Sequence, residues 1–127
     1  MTDTYVYLIH EPDWDSDAFL GGGGVPGGDP ENNFPEHKAF QEAVVRLGAR
    51  LIGGSALQNA RHGGRVTPGS GERVEHDAVY SDGPYPDTTE VVTGFYLVET
   101  DDEELARRIA ALVPTGGHVE WRKVFPT

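Results

Sequence analysis

The sequence predicts a single α+β domain in which two helices cover one face of an antiparallel sheet. The chain of 127 residues has room for one core, and a hydrophobic content of 37% can fill it. Short runs of β-branched and aromatic residues alternate with two stretches of helical periodicity. The absence of cysteine excludes disulfides, thiolate nucleophiles and zinc–thiolate sites.

The first strand and the first helix have the clearest patterns. Residues 4–10 (TYVYLIH) are apolar on both alternating faces, which predicts a central strand. Asn33 is the expected N-cap of the helix, Pro35 suits its first turn and Gly48 can take the left-handed position after its end. The apolar stripe of this helix has the spacing i, i+3, i+4 and i+7 and consists of Phe40, Ala43, Val44 and Leu47.

The middle of the chain predicts a second strand and a hairpin. Residues 49–57 read as a strand, and the pair Gly53-Gly54 within it indicates a bulge or a bend. Residues 61–66 and 72–81 resemble two hairpin arms around the turn TPGSG, and we expect this hairpin to extend the middle strands.

The last third repeats the order strand, helix, strand. Residues 94–99 (GFYLVE) predict a strand, and Thr100 with Glu103 forms a capping box that opens the second helix. Pro114 ends this helix, and residues 118–125 form the last strand. The apolar stripe of the helix consists of Leu105, Ile109 and Leu112.

The order is therefore β-α-β-β-α-β, the ferredoxin-like plan, within one domain that spans residues 1–127. Two helices leave the second face of the sheet bare. Because that face also carries apolar residues, we expect two chains to pair sheet to sheet as a homodimer.

Charge and hydropathy limit the possible partners. The formal net charge of −11 would repel a phosphate backbone, so we expect no nucleic-acid partner. No stretch approaches the roughly 18 apolar residues of a membrane span, and the start MTDTYVYLIH lacks a basic segment and a cleavage site. We therefore expect a cytoplasmic protein with no membrane partner.

Residues 11–33 predict a long acidic loop. Six glycines and four prolines fall between positions 11 and 35. The run Gly21–Gly28 lacks the Lys-Ser/Thr of a phosphate loop, so a mobile lid over residues 20–29 is the better interpretation. Asp13, Asp15 and Asp17 have calcium-loop spacing, but the sixth and twelfth positions hold Ala and Gly, and we expect no metal.

His37 is the candidate for chemistry. It lies at the edge of the first apolar stripe, from which its imidazole can face the sheet. The positive end of the helix dipole favours a neutral imidazole that could act as a base. A histidine that merely satisfies a helix start explains the position equally well. His10, on the face of Val6 and Leu8, could point toward the same cavity.

Asp82 begins the turn Asp82-Gly83-Pro84-Tyr85. Its carboxylate can accept hydrogen bonds from backbone amides of a tight turn, and we prefer this structural role. An Asp at a strand end could also orient a helix-borne histidine.

The segment SDGPYPDTTE (residues 81–90), followed by GFYLVE (residues 94–99), resembles the DGPF-type branch of the YCII-related family. That branch has DGPF, then an acidic residue, Thr, Lys and Glu, then a Gly-aromatic-aromatic strand. The similarity extends over most of the chain. Here Tyr85 replaces Phe, Thr89 replaces Lys, and residues 20–29 are an insertion.

The resemblance implies a dimeric α+β barrel. Members of the wider family often pair a Pro-x-His motif with an Asp before a Pro near the end of the second helix, proposed together as an active site. Pro35-Glu36-His37 matches the first motif, but Val113 stands before Pro114. Asp82 is then the candidate partner of His37. One relative is a dehydrochlorinase, and many DGPF-type members are encoded beside extracytoplasmic-function sigma factors.

We expect a homodimer that binds a small, partly apolar organic ligand without a cofactor, in a non-catalytic or regulatory role linked to a sigma-factor pathway. The alternative is a cofactor-independent lyase or isomerase with His37 as general base and Asp82 as its orienter. The predicted ligand-binding residues are His10, Tyr5, Tyr7, Phe40, Tyr85, Phe95 and Tyr96.

Overall fold

The computed structural model describes residues 2–18, 34–82 and 90–127. Its elements are β1 (Asp3–Glu11), α1 (Pro35–Arg46), β2 (Arg50–Ala56), β3 (Gly64–Thr67), β4 (Val79–Asp82), β5 (Val91–Thr100), α2 (Glu103–Ala110) and β6 (His118–Lys123). Four strands form an antiparallel sheet in the order β2-β5-β1-β6. This order, with both helices in contact with the sheet, is the predicted ferredoxin-like arrangement.

The core lies between the helices and one face of the sheet. Strand β1 pairs with β5 on one side and β6 on the other, so the prediction of a central strand is confirmed. Its alternate residues Tyr5, Tyr7 and Ile9 are buried, because they point toward the helices. The core cluster is completed by Phe40, Val44, Ala49, Tyr96, Val98, Ala106, Ile109 and Val113.

Both ends of α1 follow from proline and glycine chemistry. Phe34, not Asn33, is the N-cap, and it makes no side-chain cap. Pro35 explains the difference, since its ring excludes helical geometry from the preceding residue and leaves Phe34 at φ −135°. At the other end Gly48 has φ +88°, and the amides of Gly48 and Ala49 donate to Val45 and Val44 in a Schellman motif.

The predicted irregularity in β2 is confirmed. The register against β5 shifts between Leu51 and Gly53. Gly54 has φ +153°, and a Cβ there would lie 2.7 Å from both Phe95 O and Tyr96 Cδ1. Only glycine allows the two strands to approach this closely beside Tyr96.

The hairpin differs from its prediction. Strands β3 and β4 pair only over Gly64–Thr67 and Val79–Asp82, and they form a separate two-stranded sheet instead of extending the main one. The connection between them is longer than the predicted turn and contains a 3₁₀ turn at Gly71–Arg73.

Helix α2 begins later and ends earlier than its pattern indicates. Asp102 is the N-cap, and its carboxylate accepts from the amides of Glu104 and Leu105, so the Thr100–Glu103 capping box is wrong. Because the helix ends at Ala110, the helical spacing no longer applies at Leu112, which is 46% exposed, whereas Val113 is 5% exposed. No helix in the described ranges is long and apolar enough to cross a membrane.

Candidate functional site

A cavity of about 850 Å³ lies where the end of β1, the start of α1 and the β2–β5 strand pair meet. Its walls are formed by backbone and side chains of all these elements and of the segment that follows α2. This size suits a small organic ligand. The residues that define its chemistry are Glu11, Trp14, Phe34, His37 and Tyr96.

Aromatic rings follow one another along the cavity wall. The ring centroids of Trp14 and Phe34 are 5.8 Å apart, and those of Phe34 and His37 are 6.3 Å apart, both in edge-on contact. His37 and Tyr96 follow at 5.9 Å. We call Trp14, Phe34, His37 and Tyr96 the aromatic row. Most of its surface is apolar, so its few polar atoms determine how a ligand is oriented.

The polar centre of the row is a hydrogen bond between His37 Nδ1 and the Tyr96 hydroxyl, at 2.7 Å. The core residue Phe40 packs against the ring of Tyr96, with a centroid distance of 4.7 Å. Burial raises the pKa of Tyr96, and a hydrogen bond from the Gln41 side chain offsets part of this effect. The phenol therefore keeps its proton at neutral pH.

The hydrogen bond with Tyr96 is compatible with both neutral tautomers of His37, and one of them makes Nε2 of His37 a donor. The phenol has one hydrogen, which it can donate to Nδ1 of His37. A neutral imidazole that accepts at Nδ1 carries its own hydrogen on Nε2. In this arrangement His37 is a hydrogen-bond donor.

Glu11 is a residue of the cavity that the sequence analysis missed. Its Oε1 accepts from the Thr93 hydroxyl at 2.5 Å, and its Oε2 accepts from the Gly116 amide at 2.8 Å. Thr93 lies where the register of β1 and β5 shifts. A signal was present, since Glu11 continues the alternation of Tyr5, Tyr7 and Ile9 and so had to face the helix side of the sheet.

The acidic segment after β1 positions Trp14. The Trp14 indole N–H donates to Leu57 O at 2.9 Å, and the Ser16 hydroxyl accepts from Asn59 N at 2.6 Å. Asp17 accepts hydrogen bonds from Arg61 and His62. The predicted long loop therefore starts with an ordered stretch, residues 12–18, while residues 19–33, which include the glycine-rich lid, lie outside the described residues.

Two of the predicted site residues, His37 and Tyr96, meet at the cavity through their side chains. Phe95 also borders the cavity, although strand alternation directs its side chain to the other face of the sheet. Tyr5, Tyr7 and Phe40 belong to the core beneath the cavity, and the Tyr7 hydroxyl donates to Ala106 O at 2.7 Å. These three are not among the described residues that line the cavity.

His10 faces the opposite side of the sheet. Its ring stacks on His118 with a centroid distance of 4.7 Å and an interplanar angle of 2°. Its Nε2 lies 3.5 Å from Glu120 Oε1 but makes no hydrogen bond there. His10 and His37 are thus on different faces, because the alternation of β1 separates His10 from Ile9 and Glu11.

Asp82 ends strand β4 in the separate hairpin. Its side chain and the turn that contains Tyr85 lie outside the described residues. Among the residues with described side chains, no carboxylate oxygen lies within 4.0 Å of a His37 ring nitrogen. In the same part of the chain, no group of three or more His, Asp or Glu side chains is placed to hold a metal ion.

The fold and the cavity together define a ferredoxin-like α+β domain with a ligand-sized site between its first helix and its sheet. The chain belongs to the YCII-related domain family, whose model matches residues 29–127. No curated protein matches the chain.

Proposed function

We propose that this protein binds a small, partly apolar organic molecule in the cavity and that His37 donates a hydrogen bond to it from Nε2. The observation that carries the proposal is the 2.7 Å hydrogen bond between His37 Nδ1 and Tyr96, in the wall of a cavity of about 850 Å³. A fixed donor among aromatic rings is typical of a site that orients a mostly apolar ligand.

The tautomer in which Tyr96 donates to Nδ1 of His37 favours recognition over catalysis. A general base needs a free lone pair, and in this arrangement Tyr96 occupies the one on Nδ1 while Nε2 carries a hydrogen. A non-catalytic, regulatory binding module agrees with this state of His37. The DGPF-type assignment of residues 81–90, and with it a role in a sigma-factor-linked pathway, is part of the proposal.

A cofactor-independent lyase or isomerase is the second candidate. The Tyr96 oxygen can also accept a hydrogen from Nδ1, and that tautomer leaves the Nε2 lone pair free for proton abstraction. Asp82 is the carboxylate partner of His37 in this candidate, and Glu11, which lines the cavity, is a second carboxylate that could serve.

The functional unit in this proposal is a homodimer. Strand alternation places Val6 and Leu8 of β1 and Phe95 and Leu97 of β5 on the face opposite the helices, where all four are partly exposed. The ion pair of Arg50 and Glu99 flanks this stripe on one side. An apolar centre with a polar rim supports pairing with the same face of a second copy.

Binding can be tested with 2-phenylethanol, which offers an aromatic ring and a hydroxyl that accepts a hydrogen bond. We expect its titration to shift the NMR signals of Trp14 and His37, which line the cavity, and to leave the Trp121 indole unchanged. His37→Phe keeps an aromatic ring and removes the donor, so affinity should fall about fivefold, as for one neutral hydrogen bond. His76→Phe, on the exposed connection between β3 and β4, is the matched control.

Acetophenone in D₂O separates the two candidates. An enzyme with His37 as base should exchange the methyl hydrogens of acetophenone for deuterium faster than the His37→Phe variant does. A binding module should show the same slow exchange in both proteins. Absence of any 2-phenylethanol binding at millimolar concentration would contradict the proposed function itself.

A further inference from the structure

We infer that the cavity selects an organic cation, a protonated amine on an aromatic or other apolar body, and that Glu11 is the residue that recognises it. This inference rests on the proposed ligand-binding function and specifies the chemistry of the ligand.

The Glu11 carboxylate is held in place by two neutral donors. The Thr93 hydroxyl binds Oε1 and the Gly116 amide binds Oε2, so each oxygen has a partner that fixes its direction. Neither donor neutralises the charge. Each carboxylate oxygen can accept a further hydrogen bond. The carboxylate is thus oriented before a ligand arrives, which reduces the entropy lost on binding.

Glu11 has no cationic partner among the described side chains. In every ion pair among the described side chains, the carboxylate belongs to a residue other than Glu11. These residues are Asp3, Asp15, Asp17, Glu90, Glu99, Glu104 and Glu120. A partly buried carboxylate in a mostly apolar cavity gains most from a ligand that supplies positive charge and N–H donors at once.

The aromatic row suits the same ligand. The indole and phenol rings of Trp14 and Tyr96 attract cations through their π faces, and Phe34 adds a third ring. An ammonium group is therefore favoured by the rings as well as by Glu11, whereas a carboxylate ligand would be repelled by both. The net charge of −11 also raises the local concentration of cations around the protein.

Two further charges border the cavity, and they nearly cancel. Glu36 and Lys38 lie on the exposed first turn of α1, where water screens them. If Lys38 were the main recognition group instead of Glu11, an anionic ligand would bind best. Whether a cationic or an anionic ligand binds more tightly therefore decides between Glu11 and Lys38 as the main recognition group.

Three probes with the same ring and chain length test this inference: 2-phenylethylamine as the cation, 2-phenylethanol as the neutral form and phenylacetate as the anion. We expect the amine to bind the wild-type protein about tenfold more tightly than the alcohol, as for a charge-assisted hydrogen bond, and phenylacetate to bind most weakly. NMR titration of the Trp14 indole signal measures all three affinities.

Glu11→Gln removes the charge and keeps the size and shape of the side chain, with one of the two acceptor oxygens replaced by an NH₂ donor. The ratio of amine affinity to alcohol affinity should fall from about ten to about one in this variant. Glu104→Gln, on the exposed surface of α2, is the control and should keep the preference. If Glu11→Gln does not fold, the affinities of the wild-type protein for the amine, the alcohol and phenylacetate still test whether the cavity prefers a cation.

Equal binding of amine and alcohol, stronger binding of phenylacetate, or a preference for the amine that persists in Glu11→Gln would overturn the inference and leave the proposed cavity function intact. Failure of all three probes to bind would overturn both.

Discussion

The Tyr7 hydroxyl, on the first strand, donates a buried hydrogen bond of 2.7 Å to the backbone carbonyl of Ala106, on the last helix. Burial is the main reason why the pKa of Tyr7 lies well above its ordinary value, with the neighbouring Tyr5 adding to the effect. The contact connects two elements that are far apart in the sequence and holds α2 over the centre of the sheet.

We expect Tyr7→Phe to destabilise the protein by about 1 kcal/mol, the net value of one buried hydrogen bond. Urea denaturation followed by circular dichroism measures this change. Tyr80→Phe is the matched control, because Tyr80 is 71% exposed on the hairpin, and it should leave the free energy of unfolding unchanged. Equal effects of the two substitutions would show that the Ala106 contact contributes nothing.

The tautomer of His37 is a second testable prediction. If Tyr96 donates to Nδ1, a ¹H–¹⁵N correlation spectrum of the histidine rings at pH above 7.5 should show an unprotonated Nδ1 and a protonated Nε2 for His37. Tyr96→Phe removes the donor and should produce a mixture of tautomers. A protonated Nδ1 in the wild-type protein would contradict the recognition role and favour the enzyme.

Gly54 should be far less tolerant of substitution than a glycine in open surroundings. A methyl group there would lie 2.7 Å from Phe95 O and from the Tyr96 ring, at a φ of +153°. We expect Gly54→Ala to cost more than about 2 kcal/mol, because both overpacking and backbone strain oppose it, and to displace Tyr96 from the cavity wall. Thermal unfolding and binding of 2-phenylethanol measure the two effects.

Gly63→Ala is the control for this experiment. Gly63 has an extended backbone with φ −153°, and a Cβ there would meet nothing within 4 Å. A loss of stability equal to that of Gly54→Ala would contradict the close approach of β2 and β5.

Acid should loosen the segment that carries Trp14. The hydrogen bond from Arg61, followed by that from His62, holds the pKa of Asp17 below its ordinary value. Because the folded-state pKa is depressed, this contact stabilises the fold above the unfolded-state pKa of about 3.9 and is lost as the pH falls through the folded-state value. The ¹³C signal of the Asp17 carboxyl should therefore titrate below pH 3.9.

Arg61→Ala should move the Asp17 midpoint back up, and Arg46→Ala, at the exposed end of α1, should not. An unchanged midpoint in Arg61→Ala would exclude the Arg61 contact as the cause.

The proposed homodimer predicts that a charge on the open face of the sheet separates the subunits. Leu97→Glu places a carboxylate in the apolar stripe, and burying it unpaired at the interface would be too costly for the dimer. Light scattering should then report a dimer for the wild type and a monomer for the variant. Val45→Glu, at a position 69% exposed on α1, should remain dimeric. A monomeric wild type would contradict the proposal.

The sequence by itself determined the order and type of the main strands and helices, because their signals come from residues close together in the chain. The alternation of Tyr5, Tyr7 and Ile9, the stripe from Phe40 to Val44 and the helix end at Gly48 each depend on residues close together in the chain. The sequence also singled out His37 and Tyr96, although it placed them among several aromatic residues that in fact fill the core.

Tertiary structure decided what these residues contact. His37 and Tyr96 are 59 positions apart, and Glu11 and Gly116 are 105 apart, so neither pair can be found from spacing along the chain. The register shift beside Thr93 and the bulge at Gly53 set which side chains reach the cavity, and a shift of one residue moves a side chain to the other face of a sheet. Alternation along β1 places His10 on the open face, while Glu11, the next residue, lines the cavity.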